Sequence, residues 1–258
     1  MVDVVRGAAE SYRTNGFYVA PALIPADVLD EACAGVDEVL AGRYETGLDP
    51  HARNWVPSER DGDVISIAEP HRCNRAIRAC VDRPELGEWA AGLTGVNHVE
   101  IIAVDLFHKG PRTRGRAHVG WHQDSPFLEG EDEVLTAWLA LSDVTADSAP
   151  LMYVRGSHLA GVRTDRSHFF APDLDPRRVA GLLPSDVRRP EIVTVTMPRG
   201  AFVFHHRLTL HASGANTTSG PRSSLALRLR VSKTGRGGPA IPGHEVIPLY
   251  TNAPAAGL

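Results

Sequence analysis

From residue 98 onward the chain alternates between short β-rich runs and turn-forming residues, and this pattern constrains the fold more than any other feature. The β-rich runs cover residues 99–108, 134–141, 150–154, 191–197, 201–206 and 224–231. Gly, Pro, Asp and Ser interrupt them, and many short strands with irregular connections are typical of a barrel or a double-sheet jelly roll. The stretch 161–190, with Pro172, Pro176 and Pro184, is predicted to be an insertion between strands.

The part of the chain before residue 98 has mainly helical patterns. We predict helices over residues 4–14, from Pro25 onward and over 84–95, with a short strand after the Asn15-Gly16 turn. Residues 44–75 are rich in Arg, Asp, Pro and His without clear periodicity. They predict a long loop of the kind that often serves as a lid or a binding loop.

Length allows one large domain or two small ones, and the patterns described above indicate a chain that is mainly β with flanking helices. The 258 residues are 43% hydrophobic and 22% charged, as in ordinary globular proteins. We expect a helical part at about 1–97, a jelly-roll core at about 98–232 and a C-terminal tail at 233–258. No linker or internal repeat divides the chain.

Charge and cysteine usage narrow the partners and the compartment. A net charge of −4 without a basic block argues against nucleic acid. No apolar run reaches the roughly 20 residues that cross a bilayer, and the N-terminus lacks the apolar run of a signal peptide. Three cysteines without paired spacing indicate a reducing compartment. We therefore expect a cytoplasmic protein with a small-molecule substrate; the sequence does not indicate its oligomeric state.

The segment GWHQDSPF, residues 120–127, contains a His-x-Asp pair. If His122 and Asp124 lie on a strand, their side chains point to the same face and can bind one ion. Among twelve histidines, His211 is the preferred third ligand. Two histidines and a carboxylate are the facial triad of non-haem iron(II) oxygenases, whereas zinc hydrolases usually leave one open position. The rival third ligands are His108, His118, His158, His205 and His206.

Arg222 follows His211 by eleven residues and precedes the last β-rich run. An arginine at this place could bind one end of a dicarboxylate bidentately, which a lysine does less well. The alternative is a solvated turn residue.

Several segments together resemble the phytanoyl-CoA dioxygenase family of Fe(II)/2-oxoglutarate-dependent oxygenases. The matching segments are residues 12–40, LFHKGP at 106–111, GWHQDSPF at 120–127, AWLALSDVT at 137–145, YVRGSH at 153–158, and residues 198–229. Each match is weak alone, but they occur in the family's order over most of the chain.

The resemblance implies a double-stranded β-helix that binds Fe(II) through His122, Asp124 and His211, with 2-oxoglutarate and O2 as cosubstrates. It implies that Arg222 pairs with the distal carboxylate of 2-oxoglutarate and that Ser213 assists there. Trp138 and Lys109 fall at positions that often line the cosubstrate pocket. Their alternatives are barrel core for Trp138 and a solvated strand end for Lys109.

Two departures and one retained residue refine the resemblance. Arg155 replaces the proline of the usual Pro-Gly-Ser-His turn, and Ser148-Ala149-Pro150 replaces a common Asn-Gly turn. Both concern loop geometry. Related halogenases have a small residue in place of Asp124, which frees a coordination position for halide, so the aspartate here disfavours halogenation.

The function implied is oxidation of an unactivated C–H bond of a small metabolite, with hydroxylation as the expected outcome, in bacterial secondary metabolism. The candidate substrate wall is Phe127, Leu128, His205 and Arg207. Desaturation, cyclisation or epimerisation would use the same cofactors. Two other classes remain open: a metal-dependent hydrolase or isomerase on a cupin-like barrel, and a binding module without catalysis.

Overall fold

The computed structural model describes residues 2–54, 64–113, 117–128, 133–171, 173–185, 187, 189–234 and 242–252, arranged as two antiparallel sheets with flanking helices. The strands of the major sheet are, in spatial order, β1 (Phe17–Ala22), β9 (Ala201–His206), β6 (Val134–Ala140), β11 (Arg222–Ser232), β4 (His98–Lys109), β3 (Ile65–Ala68) and β2 (Ala52–Arg53). A further strand, β12 (Ile247–Thr251), also pairs with β4. The minor sheet contains β5 (Val119–His122), β10 (His211–Ser213), β7 (Leu151–Val154) and β8 (Ile192–Val195).

Six α-helices accompany the sheets in the described part of the chain. They are α1 (Val2–Asn15), α2 (Ala26–Leu40), α3 (Pro70–Cys73), α4 (Arg75–Val81), α5 (Pro84–Thr94) and α6 (Pro176–Leu182). The α1 helix ends where the sequence predicts, because Gly16 adopts a φ of 82°. A Cβ at Gly16 would lie 2.5 Å from the His158 ring, so this turn also requires the absence of a side chain.

The period-two pattern of β11 separates its two faces. Leu225, Leu227 and Leu229 are fully buried in the large apolar cluster that includes residues of α2, α4 and α5. The alternate residues face the space between the two sheets, where Ala226 packs in a second cluster with Trp138. The interior of the jelly roll therefore receives the polar members of this strand.

The minor sheet brings two distant histidines together. In the pairing of β10 with β5, His211 is the direct Cα partner of His122. The candidate metal ligands therefore meet through strand register.

The structure confirms the predicted fold, a mainly β double-sheet jelly roll with flanking helices, and all six β-rich runs contain a strand. The insertion at 161–190 does lie between strands β7 and β8, and it includes α6. Among the described residues, no helix is both long and apolar enough to cross a membrane.

One prediction about an irregular segment was wrong in part. The 44–75 segment is not one long loop, because it contains β2, β3 and α3, and part of it lies outside the described residues. The predicted C-terminal tail at 233–258 contains the strand β12, which pairs with β4. These strands are short and depend on a neighbouring strand for hydrogen bonds: β3 and β12 pair with β4, and β2 pairs with β3.

Candidate metal centre and cosubstrate pocket

His122 and Asp124 converge through a turn and not along one strand. The strand β5 ends at His122, and Asp124 has helical backbone angles (φ −72°, ψ −25°) at the start of the 3-10 turn Ser125–Phe127. The expectation that both residues lie on a strand was therefore wrong. Pro126 in this turn favours helical backbone over a continued strand.

His122, Asp124 and His211 form a compact cluster of possible ligands. One ligand atom from each lies within 4.8 Å of the others, and all three side chains are buried. Asp124 Oδ1 lies 3.9 Å from His122 Nε2 and 3.8 Å from His211 Nε2. Three donors that converge at this spacing can bind one metal ion from one side, as in a facial triad.

Backbone carbonyls fix the orientation of both imidazoles. His122 Nδ1 donates to Gly120 O at 2.8 Å, and His211 Nδ1 donates to Thr209 O at 2.9 Å. Since a carbonyl only accepts, each Nε2 keeps its lone pair for a metal. Burial, together with a neighbouring histidine, lowers the pKa of His122 to about 3 and of His211 to about 4, so both rings are neutral at neutral pH.

Side chains fix the orientation of Asp124. Its Oδ2 accepts hydrogen bonds from Thr136 Oγ1 at 2.5 Å and from His205 Nε2 at 3.0 Å. Tyr153 Oη in turn donates to His205 Nδ1 at 2.9 Å. Burial opposes ionisation, but Arg228 and the His205 hydrogen bond hold the pKa of Asp124 well below its usual value. Asp124 therefore presents a charged Oδ1 to the two imidazoles.

Gln123, between the two ligands, fastens the turn to its surroundings. The fully buried side chain donates to Gly161 O and Leu208 O at 2.9 and 2.7 Å and accepts from the backbone of Arg163 and Thr164. Its hydrogen bonds thus connect the turn to the insertion and to the segment before β10.

Of the rival third ligands, only His205 touches the cluster among those whose contacts are described. It binds the outer oxygen of Asp124 and does not point its free nitrogen at the other two ligands. His108 contacts Ser223, and His158 contacts a backbone carbonyl in α1. The His206 ring contacts the His158 ring in a tilted arrangement, with 5.4 Å between the ring centroids.

Arg222 is a buried cation at the other end of the same pocket. Its side chain makes hydrogen bonds to Ser224 Oγ and Ala149 O, and its guanidinium lies 5.3 Å from the Trp138 ring centroid. Its Nε has no hydrogen-bond partner among the described residues. No described carboxylate pairs with it, and burial lowers its pKa to about 10. An unpaired buried guanidinium beside a metal centre is suited to bind an anionic ligand.

The other cosubstrate candidates lie around Arg222. Lys109 and Ser213 are buried and bonded to one another, with Lys109 Nζ 2.7 Å from Ser213 Oγ. All four candidates, Arg222, Ser213, Trp138 and Lys109, line the pocket that contains the three ligands. Trp138 is also part of the core, so both of its predicted roles are compatible. The solvated strand end considered for Lys109 was wrong.

The predicted substrate residues separate into two groups. Phe127 and Leu128 line a second, larger cavity that adjoins Asp124. His205 lies behind Asp124, and Arg207 donates to Ser125 Oγ at 3.0 Å. These two contacts favour support of the 122–127 turn over contact with a substrate.

The sequence reasoning missed Thr136, Tyr153, Gln123 and Arg228. Arg228 carried a detectable signal, because it has the same parity as Arg222 on β11 and is therefore expected to face the same side of the sheet. The hydrogen bonds of Thr136 and Tyr153 join distant strands, and no local pattern indicates them.

Comparison with known proteins identifies the family. The family model of phytanoyl-CoA dioxygenase (PhyH) matches residues 12–224, so the chain belongs to this family of non-haem iron, 2-oxoglutarate-dependent oxygenases. The family's cofactors are Fe(II), 2-oxoglutarate and O2. The predicted resemblance and enzyme class are thereby confirmed.

Two relatives are similar in sequence. L-proline trans-4-hydroxylase from Streptomyces griseoviridis is 31% identical over 163 residues, which cover 52% of this chain and 56% of the relative. Human peroxisomal phytanoyl-CoA dioxygenase is 22% identical over 225 residues, which cover 83% of this chain and 65% of the relative. The matches thus span less than two thirds of either relative's length.

Solved structures share the fold. The carbocyclase SnoK from nogalamycin biosynthesis has a TM-score of 0.70 at 24% identity, covering 94% of this chain and 96% of its own. The epimerase SnoN, in complex with Fe3+, alpha ketoglutarate and nogalamycin RO, has a TM-score of 0.68 at 23% identity, covering 99% and 96%. At these identities the likeness shows the fold alone.

Proposed function

We propose that this protein uses Fe(II) and 2-oxoglutarate to hydroxylate a C–H bond of a small metabolite. The observation that carries the proposal is the arrangement of one pocket: His122 Nε2, His211 Nε2 and Asp124 Oδ1 converge at one end, and an unpaired Arg222 guanidinium lies at the other. Neutral imidazoles, a charged carboxylate and a separate buried cation fit a divalent metal and an anionic cosubstrate.

Each group of residues has a distinct task. His122, Asp124 and His211 would hold Fe(II), which together with 2-oxoglutarate and O2 supplies the oxidising power for C–H cleavage. Arg222 would bind the distal carboxylate of 2-oxoglutarate with its free Nε–H, and the Trp138 ring holds the guanidinium in place. Ser213 would contact the same cosubstrate, while Lys109 holds Ser213 in position. Thr136 and His205 keep Asp124 aimed at the metal.

Hydroxylation and a small substrate are supported by the relatives. The relative with the higher sequence identity of the two is a hydroxylase of a single amino acid from Streptomyces, and two similarly folded enzymes act in nogalamycin biosynthesis. These relatives support our proposal of a role in bacterial secondary metabolism, for one cytoplasmic oxygenase domain without nucleic-acid partners. The three cysteines are free thiols, which suits a reducing compartment.

A second outcome uses the same site. SnoK is a carbocyclase and SnoN an epimerase, so this fold also carries reactions that do not leave a hydroxyl group on the product. Mass analysis of the product separates these outcomes, because hydroxylation adds one oxygen atom, cyclisation removes two hydrogen atoms and epimerisation leaves the mass unchanged.

Anaerobic titration of the protein with Fe(II) and 2-oxoglutarate tests the proposal. We expect a weak visible metal-to-ligand charge-transfer band in the wild type, its loss in Asp124→Ala, and a large rise in the 2-oxoglutarate concentration required in Arg222→Ala. Exposed residues supply matched controls, Asp147→Ala and Arg189→Ala, which should leave the band unchanged. Absence of the band in the wild type, or an unchanged band in both site variants, would overturn the proposal.

A further inference from the structure

A cavity of about 720 Å³ adjoins the metal centre and shares Asp124, Phe107, Phe169 and Arg228 with the cosubstrate pocket. Aromatic rings form one side of it, with Phe127 and Phe169 in an edge-to-face contact at 5.7 Å. The inner face of the major sheet forms the other side. The cavity is within the size range of small-molecule sites, and its position beside Asp124 makes it the place for a substrate.

Asp105 lies on the sheet side of this cavity without a polar partner. It is half-buried, and within the described part of the chain its carboxylate has no hydrogen bond or ion pair. Burial raises its pKa, an effect that nearby Arg228 opposes. A carboxylate in such a place normally has a partner, because transfer from water without a hydrogen bond is unfavourable.

Arg228 is a second charge with spare hydrogen-bonding capacity in the cavity. Its side chain is 12% exposed, and its one ion-pair contact among the described residues is Nη2 to Asp124 Oδ1 at 3.5 Å. A guanidinium has five N–H donors in a planar fork, so most of this fork is available to a ligand. Its position differs from that of Arg222, which lies three inward-facing positions earlier on β11.

Strand register places the two charges close together but leaves a gap. Asp105 is the Cα partner of Ala226, and Arg228 is the Cα partner of Ala103, so they are diagonal neighbours on one face of the β4–β11 pair. They do not form an ion pair with each other, although both line the same cavity. An acceptor and a donor fork side by side can bind a ligand that carries a basic and an acidic group a short distance apart.

The rim of the cavity adds a second acceptor. His244 lines it, and its Nδ1 lies 3.2 Å from Glu69 Oε1. With Nδ1 donating to that buried carboxylate, Nε2 carries the lone pair. The polar groups of the cavity therefore favour a ligand that has a nitrogen with more than one N–H and an anionic group close to it.

From this arrangement we propose that the substrate is an amino acid, or a derivative that keeps a free amine and a free carboxylate. Its ammonium group binds Asp105 and its carboxylate binds Arg228. The proposal rests on the proposed function, because it assigns the substrate side of the same site. The aromatic side of the cavity would then receive the apolar part of the molecule.

Calorimetric binding to the anaerobic protein–Fe(II)–2-oxoglutarate complex tests this proposal. The first set of probes is the proteinogenic L-amino acids, one at a time. The second set is O-benzyl-L-serine and Nε-benzyloxycarbonyl-L-lysine, which keep the head group and extend the side chain. We expect at least one probe to bind, and the set it belongs to distinguishes a free amino acid from a larger derivative.

The head group is then examined with derivatives of the probe that binds. N-acetylation and conversion to the primary amide should each weaken binding by about tenfold or more, since each removes one charge-assisted contact. Asp105→Asn should weaken binding of the parent probe. It should not change binding of the N-acetyl derivative, which has already lost the ammonium group that Asp105 contacts. Likewise, Arg228→Gln should weaken binding of the parent probe and should not change binding of the primary amide. Asp147→Asn and Arg189→Gln are exposed controls that should bind the parent probe like the wild type.

Two results would overturn the proposal. One is that no probe of either set binds although the charge-transfer band shows that the Fe(II)–2-oxoglutarate complex has formed. The other is that a bound probe tolerates both N-acetylation and amidation in the wild-type protein, a measurement that does not depend on the folding of any variant. Failure of the band itself would instead contradict the proposed function.

Discussion

Lys109 and Arg222 are direct Cα partners across β4 and β11, so two buried basic side chains lie side by side in the lining of the cosubstrate pocket. Their side chains have different partners: Arg222 retains an unsatisfied Nε–H, whereas Lys109 Nζ donates to Gly214 O at 2.6 Å and to Ser213 Oγ. Burial, assisted by Arg222, moves the pKa of Lys109 well below its usual value. Lys109 thus holds β10 to the end of β4, while Arg222 stays available to a ligand.

Replacing Lys109 by methionine should therefore reduce stability. Lys109→Met keeps most of the volume but leaves the Ser213 hydroxyl and the Gly214 carbonyl without the Lys109 donor, at a cost of about 1–3 kcal/mol. The free energy of unfolding, measured with urea, checks this prediction. The matched control is Lys233→Met, since Lys233 is the only other lysine in the chain and is exposed; it should change stability by less than about 0.5 kcal/mol. Equal effects of the two substitutions would contradict the role of Lys109.

Removing the imidazole of His205 should weaken metal binding. His205→Phe deletes the hydrogen bond to Asp124 Oδ2, so the carboxylate loses one of the two contacts that orient it. We expect a loss of Fe(II) affinity of about 10-fold to 100-fold, measured by anaerobic calorimetry, and a smaller loss for His205→Gln, which keeps an N–H donor. His206→Phe alters the next residue on β9, which does not contact Asp124, and should leave Fe(II) affinity within a few-fold of wild type. If His206→Phe weakened binding as much as His205→Phe, the effect would be one of packing.

Gly120 should not tolerate a side chain. A Cβ at this position would lie 2.3 Å from two backbone oxygens, those of His168 and Ala171, so the turn between them would have to move. That turn carries Phe169, whose ring lies 4.8 Å from the His122 ring. Gly120→Ala should cost about 1–3 kcal/mol of stability and change the near-ultraviolet circular dichroism.

The control for Gly120 has the opposite expected sign. Gly181 lies in α6, where an added Cβ would meet nothing within 4 Å, so Gly181→Ala should be neutral or stabilise by about 0.5–1 kcal/mol. A stable Gly120→Ala variant with unchanged circular dichroism would contradict the close approach of the 166–170 turn to β5.

Acid should destabilise the protein partly through His71. Burial lowers the pKa of this histidine. Glu69 and Glu245, which lie near its Nε2, oppose the decrease, whereas Arg78 and Arg72 add to it. Because the folded-state pKa is below the unfolded value of about 6.5, the unfolded chain takes up a proton first as the pH falls. Stability is therefore present above that value and is lost below it. The urea midpoint of His71→Gln should fall less between about pH 7.5 and 5.5 than that of the wild type; parallel curves would exclude His71 as a contributor.

Much of the fold follows from the sequence because its strands are long enough to show their period. β4, β6 and β11 each have a continuous β-rich run, and their predicted limits differ from the observed ones by only one or two residues. Short elements behave differently. β10 has three residues and β2 has two, so their conformation depends on the neighbouring strand and carries no readable period.

The residues of the candidate site likewise divide into those that the sequence reveals and those that only the folded structure reveals. His122, Asp124 and His211 were predicted from motif order, and the structure brings them together. The groups that orient them were not predictable: Thr136 and Tyr153 are ordinary core positions in β6 and β7, and only the folded chain shows that Thr136 and, through His205, Tyr153 reach Asp124. Arg228 is intermediate: the sequence shows that it shares a face of β11 with Arg222, but it does not show which residues lie next to it.

The three candidate ligands differ in what holds them, and this difference governs how the centre can evolve. Main-chain carbonyls of Gly120 and Thr209 hold both imidazoles, so no substitution elsewhere can delete those contacts directly. Asp124 depends on side chains, those of Thr136 and His205, which single mutations can change. Mutations that change the metal affinity of this enzyme should therefore be found mainly around the Asp124 carboxylate. Substitutions around the two histidines should have little effect on that affinity.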